Sequence, residues 1–166
     1  MKKFLLCVAA VFLIATLTFT SVTDAQKIII VRDDSQTSQQ ANTKNFPQEV
    51  LRLVNKERAK VGAKPLKFAN DLAASAYVRA TELPTKFSHT RPNGTKCFTA
   101  MPTRGRILGE NLAGGQKTPK QVVQAWMDSK THRANILSKQ YTELGVVYYY
   151  QPNSKYKHYW VQHFRG

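Results

Sequence analysis

The sequence predicts an α+β domain, because segments with helical periodicity come first and segments with strand patterning come last. Residues 144–150 and 158–164 are short runs rich in β-branched and aromatic residues, whereas apolar residues recur at helical spacing before residue 130. The 166-residue chain is 42% hydrophobic and 21% charged, a composition typical of a globular domain and not of a disordered or coiled-coil chain. We therefore expect helices that cover a small, mainly antiparallel sheet.

Residues 1–25 have the pattern of a secretory signal peptide. Two lysines precede an apolar run from Phe4 to Phe19, and small and polar residues end the segment at Ala25. This run is shorter than the about 20 residues that a membrane span requires. No second such stretch follows it. We expect a secreted, extracellular protein with no transmembrane helix after cleavage, and an uncleaved anchor is the weaker alternative.

Residues 26–45 begin with a β-branched run and then become polar without aromatic residues, so they predict a linker that cannot build a core. The folded domain is then predicted over residues 46–166. Its first helix has Pro47 in the first turn and apolar residues at Val50, Val54 and Val61, and we expect it to run as far as Gly62.

The second predicted helix starts with Asn70 as its N-cap and ends before Pro84, since the residue before a proline disfavours helical geometry. Residues 84–107 are dense in proline, glycine and asparagine and predict a long loop. A long loop within a compact domain is usually functional or disordered.

A third helix is predicted from Thr118, an N-cap residue followed by a first-turn proline, to about Ser129. A short helical segment from His132 to Leu137 follows. The strands Leu144–Tyr150 and His158–Phe164 then form a hairpin with a longer loop.

The chain is strongly basic, which favours acidic partners. Loss of Lys2, Lys3 and Asp24 with the signal peptide lowers the net charge from +15 to +14. Anionic polysaccharides and membrane headgroups fit this charge, whereas no motif for specific nucleic-acid recognition accompanies it.

Cys97 is the single cysteine after the signal, so it forms no disulfide within the mature chain. We expect it to be buried, with pairing between chains or a reactive thiol as alternatives.

Polar residues embedded among small or apolar neighbours carry a family resemblance. His89 stands in FSHTRPNG, Glu110 in GENLAGG, His132 in HRANIL and Glu143 in TELGV. These motifs, with AWMDS before HRANIL, resemble the CAP superfamily of cysteine-rich secretory proteins, antigen 5 and pathogenesis-related class 1 proteins. The resemblance covers residues 46–164 and is closest to the cysteine-poor microbial branch.

The resemblance implies an α-β-α sandwich with a central cleft that holds two histidines and usually two glutamates. His89 and His132 match the histidines and Glu110 matches the first glutamate. No glutamate stands where the second is expected, and Asp128 or Ser129 are the candidates for that corner.

Two further positions have open interpretations. Glu143 belongs to the microbial form of the motif, and pairing with Arg133 is as plausible for it as a place in the cleft. His163 replaces the acid usual in the last strand. A solvent-facing strand position is the simpler interpretation of His163, and a third cleft histidine is the alternative.

Two imidazoles and a carboxylate are a suitable zinc set, and some CAP proteins bind zinc there. The sequence thus predicts either a Zn²⁺ site at His89, His132 and Glu110 or a hydrogen-bonded network of these residues without metal. The favoured function is a binding module for an anionic glycan, a lipid or a sterol, and not an enzyme.

Two alternatives remain open. One is a metal-dependent peptide or ester hydrolase that uses Glu110 as base, and the other is a charge-driven cell-surface interaction protein. The oligomeric state is not determined by the sequence.

Overall fold

The computed structural model describes Thr43, residues 45–101 and residues 107–166. The expected signal peptide and nearly all of the expected linker lie outside the described residues. The described helices and strands, in chain order, are α1 (Phe46–Ala59), β1 (Lys67–Phe68), α2 (Asn70–Glu82), β2 (Leu108–Gly114), α3 (Pro119–Asp128), α4 (Lys130–Leu137), β3 (Glu143–Tyr150) and β4 (His158–Arg165). A 3₁₀ turn, Cys97–Ala100, lies in the loop between α2 and β2. No helix within these residues is long and apolar enough to cross a membrane.

The four strands form one mixed sheet in the order β1-β3-β4-β2. Strand β1 runs parallel to β3, whereas β3 with β4 and β4 with β2 are antiparallel. The β3–β4 pair is the hairpin expected from the sequence. Strand β2 is not predicted by patterning, because its sequence LGENLAG consists largely of small, acidic and amide residues.

Both faces of the sheet are covered by helices. Alternate residues of β4 divide between the faces: Tyr159 and Val161 pack with Ala76 and Ala80 of α2. On the opposite face, an apolar cluster joins the sheet to α1, α3 and α4; it includes Val50, Val54, Val122, Trp126, Ile136, Leu144, Trp160 and Phe164. The α-β-α sandwich and the α+β class are therefore confirmed.

The predicted helix boundaries need small corrections. Helix α1 ends at Ala59 and not at Gly62, and Val61 is exposed beyond it. Gly62 has a φ of +63°, in the left-handed region that favours glycine and stops a helix. Helix α2 has Ala69 as its N-cap, with Asn70 as its first residue. Helix α3 begins as predicted, because the Thr118 side chain accepts a hydrogen bond from the Gln121 N–H.

A buried arginine ties α1 to the segment between α4 and β3. Arg58 is inaccessible to solvent, and its guanidinium donates to the backbone carbonyl oxygens of Lys64, Ile136, Ser138 and Tyr141 at 2.7–3.1 Å. Burial lowers the pKa of this guanidinium. Arg58 thus closes the turn after α1 and fixes the segment between α4 and β3, with carbonyl dipoles as its partners.

Candidate functional site

The candidate site is built around the carboxylate of Glu110, on the edge strand β2 of the sheet. The β2–β4 register places Glu110 directly opposite His163, and both side chains face α2. The Glu110 side chain is only 1% exposed. A buried carboxylate needs compensating charge and hydrogen bonds, and three side chains supply them.

Each oxygen of Glu110 has a defined partner. Arg79 Nε donates to Oε2 at 3.0 Å, and His163 Nε2 lies 3.1 Å from the same oxygen. His89 Nδ1 lies 2.8 Å from Oε1. Burial alone would raise the pKa of Glu110, but the hydrogen bonds from His163, His89 and Arg79 outweigh it and hold the pKa at about 2. Glu110 is therefore ionised at neutral pH and is a weak general base.

Arg79 extends this network to the following loop. Its guanidinium is fully buried and also donates to Glu82 and to the backbone carbonyl of Ser88. Glu82 in turn accepts from Arg91 at 2.6 Å. These charges alternate in sign from Glu110 through Arg79 and Glu82 to Arg91, so they hold the start of the loop against α2.

His163 is completely buried, so the expectation of a solvent-facing position is wrong. The physical reason is that α2 covers the face of the sheet on which it lies. Its Nδ1 is 2.7 Å from Ser75 Oγ. The Ser75 hydroxyl has one proton and also lies 2.8 Å from the Leu72 carbonyl oxygen. A neutral ring satisfies both of its own contacts when Nε2–H donates to Glu110 and the Ser75 proton turns from that carbonyl to Nδ1. Burial lowers the pKa of His163, although Glu110 opposes this shift. His163 is thus the third histidine of the region, in direct contact with Glu110.

His89 lies on the loop and connects the buried carboxylate to solvent. Its side chain is 57% exposed, whereas Glu110 beneath it is buried. With Nδ1–H donating to Glu110, the tautomer leaves the Nε2 lone pair available for a ligand. The structure therefore brings His89 and Glu110 together as the sequence motifs indicate.

His132 lies near this pair without touching Glu110. It is half-buried at the start of α4 and lines a neighbouring cavity of about 340 Å³ together with Phe87, Trp126, Ser129 and Tyr156. Burial lowers its pKa, and the nearby His89 lowers it further. Among the described residues, no hydrogen bond joins the His132 ring to Glu110.

The other three expected accessory residues lie apart from Glu110. Asp128 is exposed and accepts a hydrogen bond from Gln124 at 2.8 Å. Ser129 lines the His132 cavity and has its hydroxyl 3.3 Å from that of Thr131. Glu143 pairs with Arg165 at 2.6 Å and lies on β3, which β4 separates from the strand of Glu110, so the alternative pairing with Arg133 is wrong.

A set of amides positions α4 behind the site. Asn111 Nδ2 donates to the His132 carbonyl and to Gln162 Oε1, both at 3.1 Å. Asn135 Nδ2 donates to Asn111 Oδ1 at 2.8 Å. The asparagines of the GENLAGG and HRANIL motifs therefore fix His132 relative to β2.

An open cleft of about 480 Å³ lies over Glu110. Its lining includes His89, Thr90, Lys96, Cys97, Phe98, Asn135 and Tyr141. Phe98 is 41% exposed and offers an aromatic surface at the cleft. The cleft thus combines hydrogen-bonding groups, one lysine and aromatic rings.

Cys97 is a free, buried thiol in the wall of this cleft, which confirms the expectation of burial. Burial raises its pKa to about 11, with a further contribution from the negative charge of Glu110. Donor atoms of His89, Cys97 and Glu110 all lie within 4.8 Å of one another. Within the part of the chain that the structure describes, this is the one group of three such side chains, and it does not include His132.

Comparison with known proteins agrees with the family resemblance of the sequence motifs. The profile of the cysteine-rich secretory protein (CAP) family matches residues 51–164. The Bacillus subtilis protein YkwD is 38% identical over 122 residues, which are 70% of this chain and 48% of YkwD. The chain therefore spans about half the length of that relative.

Solved structures share the fold. An extracellular SCP-domain protein from Bacillus anthracis is 25% identical, with a TM-score of 0.63 over 75% of this chain and 41% of its own. An outer surface protein from Borrelia burgdorferi is 18% identical, with a TM-score of 0.58 over 80% of this chain and 92% of its own. The second likeness shows the fold alone.

Proposed function

The chain belongs to the cysteine-rich secretory protein (CAP) family, and from that premise we propose that it is a secreted module whose cleft binds an anionic glycan. Its expected signal peptide supports secretion, and so do relatives described as extracellular or outer surface proteins. The choice of ligand class depends on the charge and chemistry of the cleft.

One observation carries the proposal: among the described residues, the only carboxylate in the lining of the cleft is already neutralised from within the protein. Glu110 is buried against Arg79, with His163 and His89 as further partners. Lys96 is the cation in the lining of the cleft. A ligand that enters the cleft therefore meets a lysine and no uncompensated negative charge, which favours a carboxylated or sulfated group.

The other groups of the cleft suit a sugar. Thr90 and Asn135 offer hydroxyl and amide groups that hydrogen-bond sugar hydroxyls. Phe98 and Tyr141 add aromatic area, which packs against apolar faces while polar neighbours fix orientation. A sterol or acyl chain is less favoured, because it would bury Lys96 and the amide without hydrogen-bond partners.

The acidic pKa of Glu110 also argues against the hydrolase alternative. A general base works best when its pKa lies near the working pH, whereas the Glu110 pKa is about 2. Binding without turnover is therefore the better use of this geometry.

Calorimetric titration with a heparin-derived hexasaccharide, which is sulfated and carboxylated, tests the proposal. Lys96→Gln should weaken binding about tenfold, since a hydrogen bond to a charged group contributes about 1.5 kcal/mol. Lys130→Gln is the matched control, because Lys130 is an exposed lysine of α4 that does not line the cleft. It should change the Kd by less than about twofold, as expected for a screened distant charge.

Three results would overturn the proposal. Equal weakening by both variants would indicate binding by overall charge, the cell-surface alternative. Binding of a fatty acid or sterol, without binding of the hexasaccharide, would show that the ligand of the cleft is a lipid. Equal affinity for an uncharged oligosaccharide of the same length would remove the role of the anionic groups.

A further inference from the structure

We propose that Cys97, His89 and Glu110 form a site for a zinc-type divalent cation, with the thiolate of Cys97 in the place expected for His132. The inference goes beyond glycan binding and stands independently of it. It begins from the three donor atoms, which lie within 4.8 Å of one another in the wall of the cleft.

The spacing suits one ion. Zinc bonds to sulfur at about 2.3 Å and to nitrogen or oxygen at about 2.0–2.2 Å, so tetrahedral ligands lie roughly 3.3–3.7 Å apart. His89 is on an exposed part of the loop, with its side chain 57% exposed. It is therefore the ligand that can turn to open its 2.8 Å contact with Glu110 Oε1 to the required spacing.

Glu110 retains a lone pair for a metal. Its Oε2 already accepts from Arg79 and contacts His163, which together use both lone pairs of that oxygen. Its Oε1 lies 2.8 Å from His89 Nδ1, and the hydrogen bond between the Cys97 S–H and Glu110 is given up when the thiol loses its proton to a metal. Oε1 is therefore the oxygen that can ligate, while Arg79 and His163 keep the carboxylate in position, in the way that outer partners orient metal ligands.

The donor set determines the class of ion. Thiolate, imidazole and carboxylate together suit zinc and its neighbours, whereas magnesium and calcium require oxygen donors. On binding, the Cys97 S–H loses its proton to solvent and a metal–sulfur bond forms. The thiolate then supplies a negative charge to the divalent ion, and Glu110 supplies a ligand oxygen while it stays paired with Arg79.

The position of His132 distinguishes this site from the set expected from the sequence. His132 lines the neighbouring cavity and has no ring atom in the three-donor group. Three protein ligands leave at least one coordination position for solvent or a ligand group. The site is therefore open on the cleft side.

Titration of the purified, reduced chain with Co²⁺ tests the site, because a cobalt–thiolate bond gives a charge-transfer absorption that imidazole and carboxylate do not. We expect one equivalent to bind with this absorption. Cys97→Ser and Cys97→Ala should abolish the absorption and weaken Zn²⁺ binding by more than about tenfold, since even outer-shell changes weaken metal sites by about 10–100-fold. His132→Ala should keep both the absorption and an affinity within about threefold.

Several results would contradict the proposal. They are no binding to the wild type, binding without the thiolate absorption, and loss of binding in His132→Ala while Cys97→Ser retains it. Thermal unfolding of each variant in chelator confirms that it is folded, and Cys97→Ala provides a second variant if the buried serine is destabilising. The metal titration contains no glycan and the glycan titration is run in chelator, so failure of one proposal leaves the other separately tested.

Discussion

Two buried charges in this molecule are accommodated in opposite ways. Arg58 donates to four backbone carbonyl oxygens and has no carboxylate among its described partners. Glu110 is held by the oppositely charged Arg79 and by two histidines. Arg58 connects segments of backbone, whereas Glu110 connects side chains beside an open cleft.

Arg58 is therefore a structural charge, whereas Glu110 is available for function. The carbonyl oxygens around Arg58 are fixed by the backbone, so that centre can bind nothing else without unfolding. The partners of Glu110 include His89, which is exposed and can exchange the carboxylate for another ligand. Adaptable binding therefore belongs to the Glu110 centre.

The largest expected effect is that of Arg79→Met. The change leaves the Glu110 carboxylate buried without its cation, which destabilises proteins by about 3–5 kcal/mol. Urea unfolding at pH 7 measures it. Arg91→Met is the matched control, because Arg91 pairs with Glu82 near the surface and a partly exposed pair contributes about 1 kcal/mol or less. Equal losses in the two variants would contradict a central role for the Arg79–Glu110 pair.

Arg58→Met should have a smaller but still substantial effect. It removes a buried charge while leaving carbonyl oxygens without donors, for which we expect a loss of about 2–4 kcal/mol in the free energy of unfolding. Affinity for the hexasaccharide should stay within about twofold, because Arg58 does not line the cleft. If Arg58→Met weakened glycan binding as much as Lys96→Gln, the separation of the two centres would be wrong.

The smallest expected effect is a difference in pH dependence. The pKa of His163 is lower in the folded protein than its usual 6.5. As the pH falls, His163 therefore takes up a proton in the unfolded chain before it does so in the folded protein. The contribution of His163 to the free energy of unfolding is full above pH 6.5 and decreases as the pH falls below that value. Arg58 stays protonated over this pH range, so its contribution to the free energy of unfolding should not change with pH. The stability gap between wild type and His163→Gln should narrow from pH 7 to pH 5, by at most about 1.4 kcal/mol per pH unit.

Urea unfolding at pH 7, 6 and 5 checks this prediction. Glu110 adds a second, more acidic window, because its pKa of about 2 lies below the usual 4.5. Its contribution is present above pH 4.5 and is lost as the pH falls toward 2. A gap between wild type and His163→Gln that stays constant from pH 7 to pH 5 would show that His163 titrates as in the unfolded chain.

Local signals were sufficient for most of the fold. The Thr118–Pro119 start of α3 and the β3–β4 hairpin are encoded within a few residues of each element. Strand β2 is different, because its small and polar residues become a strand by pairing with β4, which lies about fifty positions later in the chain. The strand propensity of these residues alone does not predict that pairing.

The site was predicted only where the motifs named it. His89 and Glu110 meet as expected, His163 was given a place at the cleft only as the alternative interpretation, and Arg79 was missed. His163 lies opposite Glu110 through a non-local strand register, but an α-β-α sandwich buries both faces of its sheet and so already argues against a solvent-facing position. Arg79 lies seven residues after Leu72 and three after Ala76, on the apolar side of α2, a spacing that indicates a buried cation.

The central claim is that the cleft over Glu110, and not the basic surface as a whole, binds an anionic glycan. Backbone amide chemical shifts recorded during titration with the heparin-derived hexasaccharide test it most directly. The account predicts saturable shifts concentrated at Thr90, Lys96, Phe98 and Asn135. Backbone amide shifts confined to the exposed basic residues of α1 would contradict this claim. Shifts scattered over the surface and abolished by moderate salt would also contradict it.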